Sequence, residues 1–460
     1  MTPLLFINFA RGNYMELLTA NAANKKIALS VFVAMALMAC EPKADESADT
    51  KAPPVAEVAS AQSAQAQSAP AQAQPPQSAG EIHAAAVTID THIDIPLSLG
   101  TEAADFRSDG PMQVDLPKMR AGGLDAGFFI VYVGQGPLNE AGYQEAYAEA
   151  QRKFEAIERM VSNSPDDIAL VTSPAQLKAA LAQGKLAAAI GVENAYPLGP
   201  DYQHLQEFYD RGARYISLTH FGHNHFGDSS AAKGEQGGVA EPVSHGLSEK
   251  GLALIDQMNR LGIMVDVSHT SKESTLAAVE RSKAPVIASH SGVKALYDHP
   301  RNLSDEEIKA IAAKGGVMQI VAFDSYMRDV SDDNKAAVAA IREEMGLTAA
   351  DWYKTASQAT IGGFRKAVAA LNSQFPRASV ADLVDGIDYV VKLVGIDYVG
   401  IASDFGGGGG VQGWDSIDQS QAITEELVNR GYTYPQIEQI WGGNLLRVWQ
   451  QVEDSAQTAL

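Results

Sequence analysis

From residue 86 onward, short apolar runs recur along the chain, each nearly continuous rather than alternating. They are AVTIDTHID (86–94), DAGFFIVYV (125–133), KLAAAIGVEN (185–194), RYISLTH (214–220), IMVDVSH (263–269), PVIASHS (285–291), GGVMQIVAF (315–323) and YVGIASDF (398–405). A strand covered on both faces reads this way, as in a parallel sheet flanked by helices. Between several runs the period lengthens to that of an amphipathic helix, as in SEKGLALIDQMNRLG (248–262) and SDEEIKAIAAKGG (304–316). Ser304 followed by Glu307 predicts a capping box at the start of the latter. Eight strand–helix units predict an α/β fold, a (β/α)8 TIM-like barrel. A doubly wound open sheet is the alternative. Residues 324–397 read as a long, mostly helical insertion before the last strand. PQIEQIWGGNLLRVWQQV (435–452) reads as a closing helix pair or one kinked helix.

The first 80 residues follow different rules. NKKIALSVFVAMALMAC (24–40) has a basic start at Lys25 and Lys26, then a short apolar stretch, then small residues. That is the layout of a secretory leader, and the apolar stretch is short for a spanning helix. Leu37-Met38-Ala39-Cys40 resembles a lipoprotein cleavage box, and Cys40 is the only cysteine of the chain. The expectation is a lipoprotein-type signal peptide over 1–39 with lipidation at Cys40. Plain cleavage is the alternative, and Met15 is a second possible start. Residues 40–80 are rich in Ala, Pro, Gln and Ser and carry no aromatic residue, the composition of a disordered tether. A tether of that length reaches roughly 35 Å. The folded domain is then 81–460. The implied location is the bacterial cell envelope, lipid-anchored, with Glu41 leaning toward the outer membrane or the periplasmic face.

Charge and cysteine count narrow the chemistry. The 460-residue chain carries a formal charge of -21. Removing 1–39 takes away Arg11, Lys25, Lys26 and only one acid, Glu16, so the remainder is more acidic still. Such a surface excludes a nucleic-acid binder and attachment to an anionic membrane by charge. One cysteine allows no intramolecular disulfide. A metal site in this chain must be built from imidazole and carboxylate.

Those groups gather at the strand ends. The first strand ends in His92-Ile93-Asp94, the third in Glu193, the fourth in His220, the fifth in His269, the sixth in His290 and the eighth in Asp404. In a (β/α)8 barrel these ends form the active-site rim. His and carboxylate at one rim are ligands for zinc or a similar divalent ion. The spacing of two puts His92 and Asp94 on one strand face, where one metal takes both. His269 and His290 can converge on a second, and Glu193 has two oxygens with which to bridge. Two metals 3.5–4 Å apart, in the usual range, share and activate one water-derived hydroxide.

These residues resemble the membrane dipeptidase (renal dipeptidase) family of zinc-dependent metallopeptidases, a family of amidohydrolase-like metal barrels. The resemblance runs from DTHIDIP (90–96) to GGNLLRV (442–448). It includes GVEN (191–194), YISLTHFGHN (215–224), GLSEKGLALIDQMNRLGIMVDVSHTS (246–271), SHSG (289–292), HPRNLSD (299–305) and YVGIASDF (398–405). It implies two zinc ions held by His92, Asp94, Glu193, His269 and His290, with Glu193 bridging. It implies that His220 contacts substrate and polarises the scissile carbonyl, that Arg301 holds the substrate, and that Asp404 handles the proton. The implied activity is hydrolysis of free dipeptides by a metal-bridging hydroxide, with tolerance of a C-terminal D-residue left open. A metal-barrel hydrolase of another amide, lactam or ester is the alternative, and a tethered binding protein without catalysis is the reading from another class. A homodimer using the helical insertion is the expected assembly.

Two departures from the family pattern stand out. Gly406 occupies a place where a second Asp is common, and the run of glycines after Phe405 reads as a mobile loop. Ile93 replaces a commonly polar residue. His223 and His225 read as loop-surface or substrate-facing residues, and His83, His204, His245 and His299 as structural or surface residues. Asp266 reads as a residue that orients its neighbours.

Overall fold

The computed structural model describes residues 78–231, 242, 244–349 and 356–457. The leader, Cys40 and the tether up to residue 77 lie outside the described residues. The first element is the helix Ala79–Ala85, closed by a capping box between Ser78 and Glu81.

Ten strands follow: β1 (Ile89–Asp94), β2 (Ala126–Tyr132), β3 (Ile168–Leu170), β4 (Leu186–Glu193), β5 (Ala213–Ser217), β6 (Met264–Asp266), β7 (Ile287–Val293), β8 (Asn302–Leu303), β9 (Val317–Val321) and β10 (Val399–Ala402). Eight pair in the order β1-β2-β4-β5-β6-β7-β9-β10, each neighbour parallel. The short β3 and β8 pair at the side of β4 and β7. The ends meet where Ile93 bridges Phe405 in parallel, with Asp94 N–H donating to Phe405 O at 2.7 Å. The result is a nearly closed (β/α)8 barrel, and the open-sheet alternative falls because the order runs sequentially round to its start.

Burial explains the continuous apolar runs. Phe129, Val131, Ala188 and Ile190 pack in the cluster beneath the helices. The alternate positions Ile89, Phe128, Ile130, Ala187, Ala189 and Tyr215 pack in a second cluster together with Trp449 of the C-terminal helix. Both faces are buried, so neither calls for polar residues.

Two expectations change in detail. The insertion is shorter than 324–397. The helix Val380–Val394 buries Leu383, Val384, Ile387 and Val390 and packs against β9 and β10, so it is the crossover of the last barrel unit. The inserted helices among the described residues are Asp332–Glu344 and Gln358–Ala369. At the C-terminus, Tyr434–Glu438 passes through a π-helical turn, Gln439–Gly443, into Asn444–Gln457 without a break. The turn falls where the helix presses on β1. A Cβ on Gly442 would lie 2.4 Å from Val87 O, so only glycine fits there.

Candidate metal centre

The barrel strands stop earlier than their apolar runs. β6 ends at Asp266 and β10 at Ala402, and His269 and Asp404 then take left-handed backbone angles, φ 69° and φ 56°. Asn194, directly after Glu193, does the same at φ 80°. Non-glycine residues rarely adopt this conformation, and such strain concentrates at functional sites. Here it turns the chain off the strand while leaving the side chains at the barrel mouth.

Glu193 is the hub. Its Oε1 lies 3.0 Å from His269 Nε2, 3.3 Å from His290 Nε2 and 3.8 Å from His220 Nε2. Its Oε2 lies 3.6 Å from His92 Nε2, which is also 3.4 Å from Asp94 Oδ2. Three groups of possible ligand atoms result: His92, Glu193 and His290; Glu193, His220 and His269; His92, Asp94 and Asp404, each within 4.8 Å of one another. All seven rim residues expected from the strand ends therefore converge. The partition differs from the simple pairing of His269 with His290, because His220 also stands among the possible ligands.

The buried hydrogen bonds set the imidazole tautomers. Tyr215 donates its hydroxyl hydrogen to Thr91 O at 3.0 Å, so its oxygen can only accept from His92 Nδ1, also at 3.0 Å. His92 Nε2 is then left with a lone pair directed at two carboxylates, and it has no hydrogen-bond partner among the described residues. Asp266 works similarly at one remove. Ser289 Oγ donates to Asp266 Oδ2 at 2.6 Å and accepts from His290 Nδ1 at 2.8 Å. That leaves His290 Nε2 as a lone pair facing Glu193 and, at 2.9 Å, His269 Nε2. Lone pairs and carboxylates turned toward one another in a buried bowl fit divalent cations. Asp266 thus orients His290 through Ser289.

The electrostatics agree. Burial holds His269 and His290 well below the usual imidazole range, with Arg301 adding to the effect, so both are neutral. Burial opposes ionisation of Glu193, but the positive field of His220 and His92, helped by the adjoining His269 and His290, outweighs it, and its pKa falls well below the ordinary carboxylate value. Glu193 and Asp94 overcome the burial penalty and raise His92 well above its ordinary value, so the Nε2 lone pair has a strong affinity for a proton or another cation. Asp404 is pushed well above the ordinary carboxylate range by burial and by the charges of Asp94 and Glu193.

Arg301 is less open than expected. It is buried, its Nη2 donates to His290 O at 2.8 Å, and the Tyr326 ring centre is 5.4 Å from its Cζ. Its Nε has no partner among the described residues. The glycine run is tied into the surrounding structure by hydrogen bonds. Gly410 N–H donates to Ala322 O, Gly409 N–H to Asp404 O and Gly406 N–H to Gln113 Oε1. The glycines are needed for closeness: a Cβ on Gly406 would lie 2.3 Å from Asp94 O.

The remaining histidines sort by burial. His223 is buried, not a loop-surface residue: its Nδ1 accepts from Ser229 N and lies 3.3 Å from Asp228 Oδ1. His225 is half-buried and reaches Gly199 O at 3.1 Å. His83 is buried between Thr424 and Gly122 O, while His245 is exposed, both as expected. His204 stacks on Tyr147, and His299 Nδ1 accepts from Arg301 N. Sequence reasoning missed Tyr215, Ser289 and Tyr132, whose ring packs edge-on to His220 at 4.7 Å. Tyr215 sits in an apolar run, and only pairing β5 beside β4 brings it to His92.

Fold and donor set together define a barrel metallohydrolase. The model of the membrane dipeptidase family, peptidase family M19, matches residues 76–460, and the chain belongs to that family. It is therefore a metallo-dipeptidase by family, a hydrolase of peptide bonds. Dipeptidase aclJ of Aspergillus oryzae is 30% identical over 352 residues, 75% of this chain and 71% of that protein. An uncharacterized dipeptidase of Schizosaccharomyces pombe is 29% identical, covering 81% of this chain and 82% of its own length. The crystal structure of the probable dipeptidase PvdM from Pseudomonas aeruginosa superposes with a TM-score of 0.70 at 33% identity, over 82% of this chain and 98% of that one.

Proposed function

We propose that this chain is an exported, zinc-dependent dipeptidase acting on free dipeptides. The observation that carries the reading is the division of Glu193, one oxygen toward His92 and the other toward His269 and His290. His92, Asp94, Glu193, His269 and His290 would hold two zinc ions, and such a pair activates water and polarises a carbonyl. The other groups act on the substrate. Asp404 and His220 both line the cavity over the centre. Asp404, as a carboxylate whose proton affinity is raised by its surroundings, would take one from the attacking water and deliver it to the leaving amine. His220 directs Nε2 toward the scissile carbonyl. Arg301 supplies the positive charge that favours a free carboxylate. Tolerance of a D-residue on the carboxyl side is part of the proposal and is read out by the L,D-dipeptides in the test. The lipoprotein-type leader and tether read from the sequence support a location at the cell envelope with a lipid on Cys40, and a homodimer is the proposed assembly.

The test uses the purified chain, stripped with a chelator and reloaded with zinc. Free L,L- and L,D-dipeptides are compared with N-blocked and C-amidated forms, a β-lactam and an ester. Zinc-restored cleavage of free dipeptides alone supports the reading. Cleavage of the lactam or ester without the dipeptides transfers the site to the alternative hydrolase class.

A further inference from the structure

Two rim strands carry their metal-facing histidine in a break of the sheet. The register between β1 and β2 shifts between Asp90 and Ile93, around His92, and that between β7 and β9 shifts between Ala288 and Ser291, around His290. Such irregularities re-aim a side chain and take its backbone out of the regular ladder. A buried side chain receives the histidine N–H in each case. Asp90 Oδ1 accepts from His92 N at 3.1 Å, and Ser268 Oγ accepts from His290 N at 3.0 Å.

Asp90 does more than receive one N–H. It is wholly buried, and the same Oδ1 accepts the Ser403 N–H at 3.0 Å. Ser403 follows the end of β10 and immediately precedes Asp404. Two backbone bonds complete the join: Asp404 N–H donates to His92 O at 3.1 Å, and Asp94 N–H to Phe405 O at 2.7 Å. One carboxylate oxygen thus grips the strand of His92 and Asp94 and the segment of Asp404 together. Asp266 repeats the arrangement. Its Oδ1 accepts from Ser268 N at 3.0 Å and Ser289 N at 2.9 Å, one residue before His269 and one before His290. The sequence repeats with it, since Ala288-Ser289-His290 and Ala402-Ser403-Asp404 both offer the serine N–H one residue before the functional group. Neither Asp90 nor Asp266 belongs to a group of possible ligand atoms among the described residues. A carboxylate is costly to bury, and its bonds to backbone N–H groups are of the strong, charge-assisted kind.

We infer that Asp90 is a positioning residue of the active site. Its carboxylate fixes the separation between the β1 ligands, His92 and Asp94, and the proton-handling Asp404. It acts through the backbone of its neighbours. The inference rests on the dipeptidase reading for the role of Asp404, and on geometry for the ligands.

The experiment compares Asp90→Ala, Asp90→Asn and Asp125→Ala with the unsubstituted chain. Asparagine keeps an acceptor oxygen for both N–H groups and drops the charge. Asp125 Oδ2 accepts the Thr88 N–H at 3.0 Å, just before the start of β1, so its loss loosens the strand away from the rim. Zinc affinity is read by chelator competition, and alanyl-glycine hydrolysis by kcat and KM separately. Asp90→Ala should weaken zinc binding about tenfold or more. It should lower kcat about thirtyfold or more, with KM within about threefold. Asp90→Asn should recover most of both losses. Asp125→Ala should melt at lower temperature and bind zinc as the unsubstituted chain does. Asparagine as impaired as alanine overturns the inference, because charge alone would then be acting. Zinc binding weakened equally by Asp125→Ala also overturns it, because any loosening of β1 would then suffice. If the alanine chain does not fold, Asp90→Ser, too short to span both N–H groups, takes its place under the same criteria. If no chain cuts the dipeptide, the dipeptidase reading fails, and the zinc affinities still decide the positioning role.

Discussion

The phenolic oxygen of Tyr215 lies 3.0 Å from Nδ1 of His92, and its ring fills the space that a side chain on Gly191 would take, 2.2 Å from a Cβ there. One interior residue thus packs the barrel and sets the tautomer of a metal ligand. Tyr215→Phe keeps the packing and removes the hydrogen bond. Metal affinity is expected to fall about 10–100-fold, the usual cost of losing an outer hydrogen bond to a ligand. Far-UV circular dichroism should be unchanged. Competition titration with a zinc chelator measures the affinity, and an unaltered value would show that Tyr215 only packs.

Gly407 faces the other side of the centre. A Cβ there would lie 2.2 Å from Asp404 Oδ1 and 2.5 Å from Asp94 Oδ2. Gly407→Ala should therefore displace one carboxylate and lower kcat by about 100-fold or more, since sub-ångström placement at a reacting centre is worth that much. Gly363→Ala, on an inserted helix with only Met345 Cε near its added methyl at 3.6 Å, is expected to leave activity intact. It should stabilise the helix by up to about 1 kcal/mol. Parallel kinetics and thermal melts of the two variants check the contrast.

Metal loading should register as stability. A ligand that binds only the folded state stabilises it by RT ln(1 + [L]/Kd), about 2.7 kcal/mol at a hundred times Kd. The chelated chain should melt at lower temperature than the zinc-loaded chain. Glu193→Gln weakens the shared ligand and should shrink the gap. Plasma mass spectrometry is expected to find two zinc ions per unsubstituted chain and fewer in the variant.

His225 predicts a pH dependence of its own. Burial lowers its folded pKa to about 4, below an unperturbed value of 6.5. The unfolded chain binds the proton first as pH falls, so this contribution is complete above pH 6.5 and is lost between about 6.5 and about 4. His225→Gln, which can still reach Gly199 O, removes the titration. Between pH 7 and pH 5 the unsubstituted chain should lose about 2 kcal/mol more stability than the variant. Urea unfolding at the two pH values measures it, and equal losses would show His225 to be solvated.

Much of this protein was legible from pattern alone. Eight doubly covered strands leave few parallel architectures, and each run carried its polar ending with it. The capping box at Ser304 and Glu307 is local chemistry, read from spacing and present in the helix Asp305–Ala313. What pattern could not reach were contacts between residues far apart in sequence. The Tyr215–His92 pair spans 123 positions, and the Asp266–Ser289–His290 relay requires two strands to be laid side by side. The glycine run shows the same limit. Composition read as freedom, but the fold passes the run so close to Asp94 and Asp404 that a side chain at Gly406 or Gly407 would collide with them.

The identity of the rim residues was therefore written in one dimension, because a strand end is defined by its own few residues. Their division around Glu193, the direction of each imidazole lone pair and the burial of Arg301 were settled only when the barrel closed. Those properties depend on which atoms meet in three dimensions, and no local stretch of chain contains them.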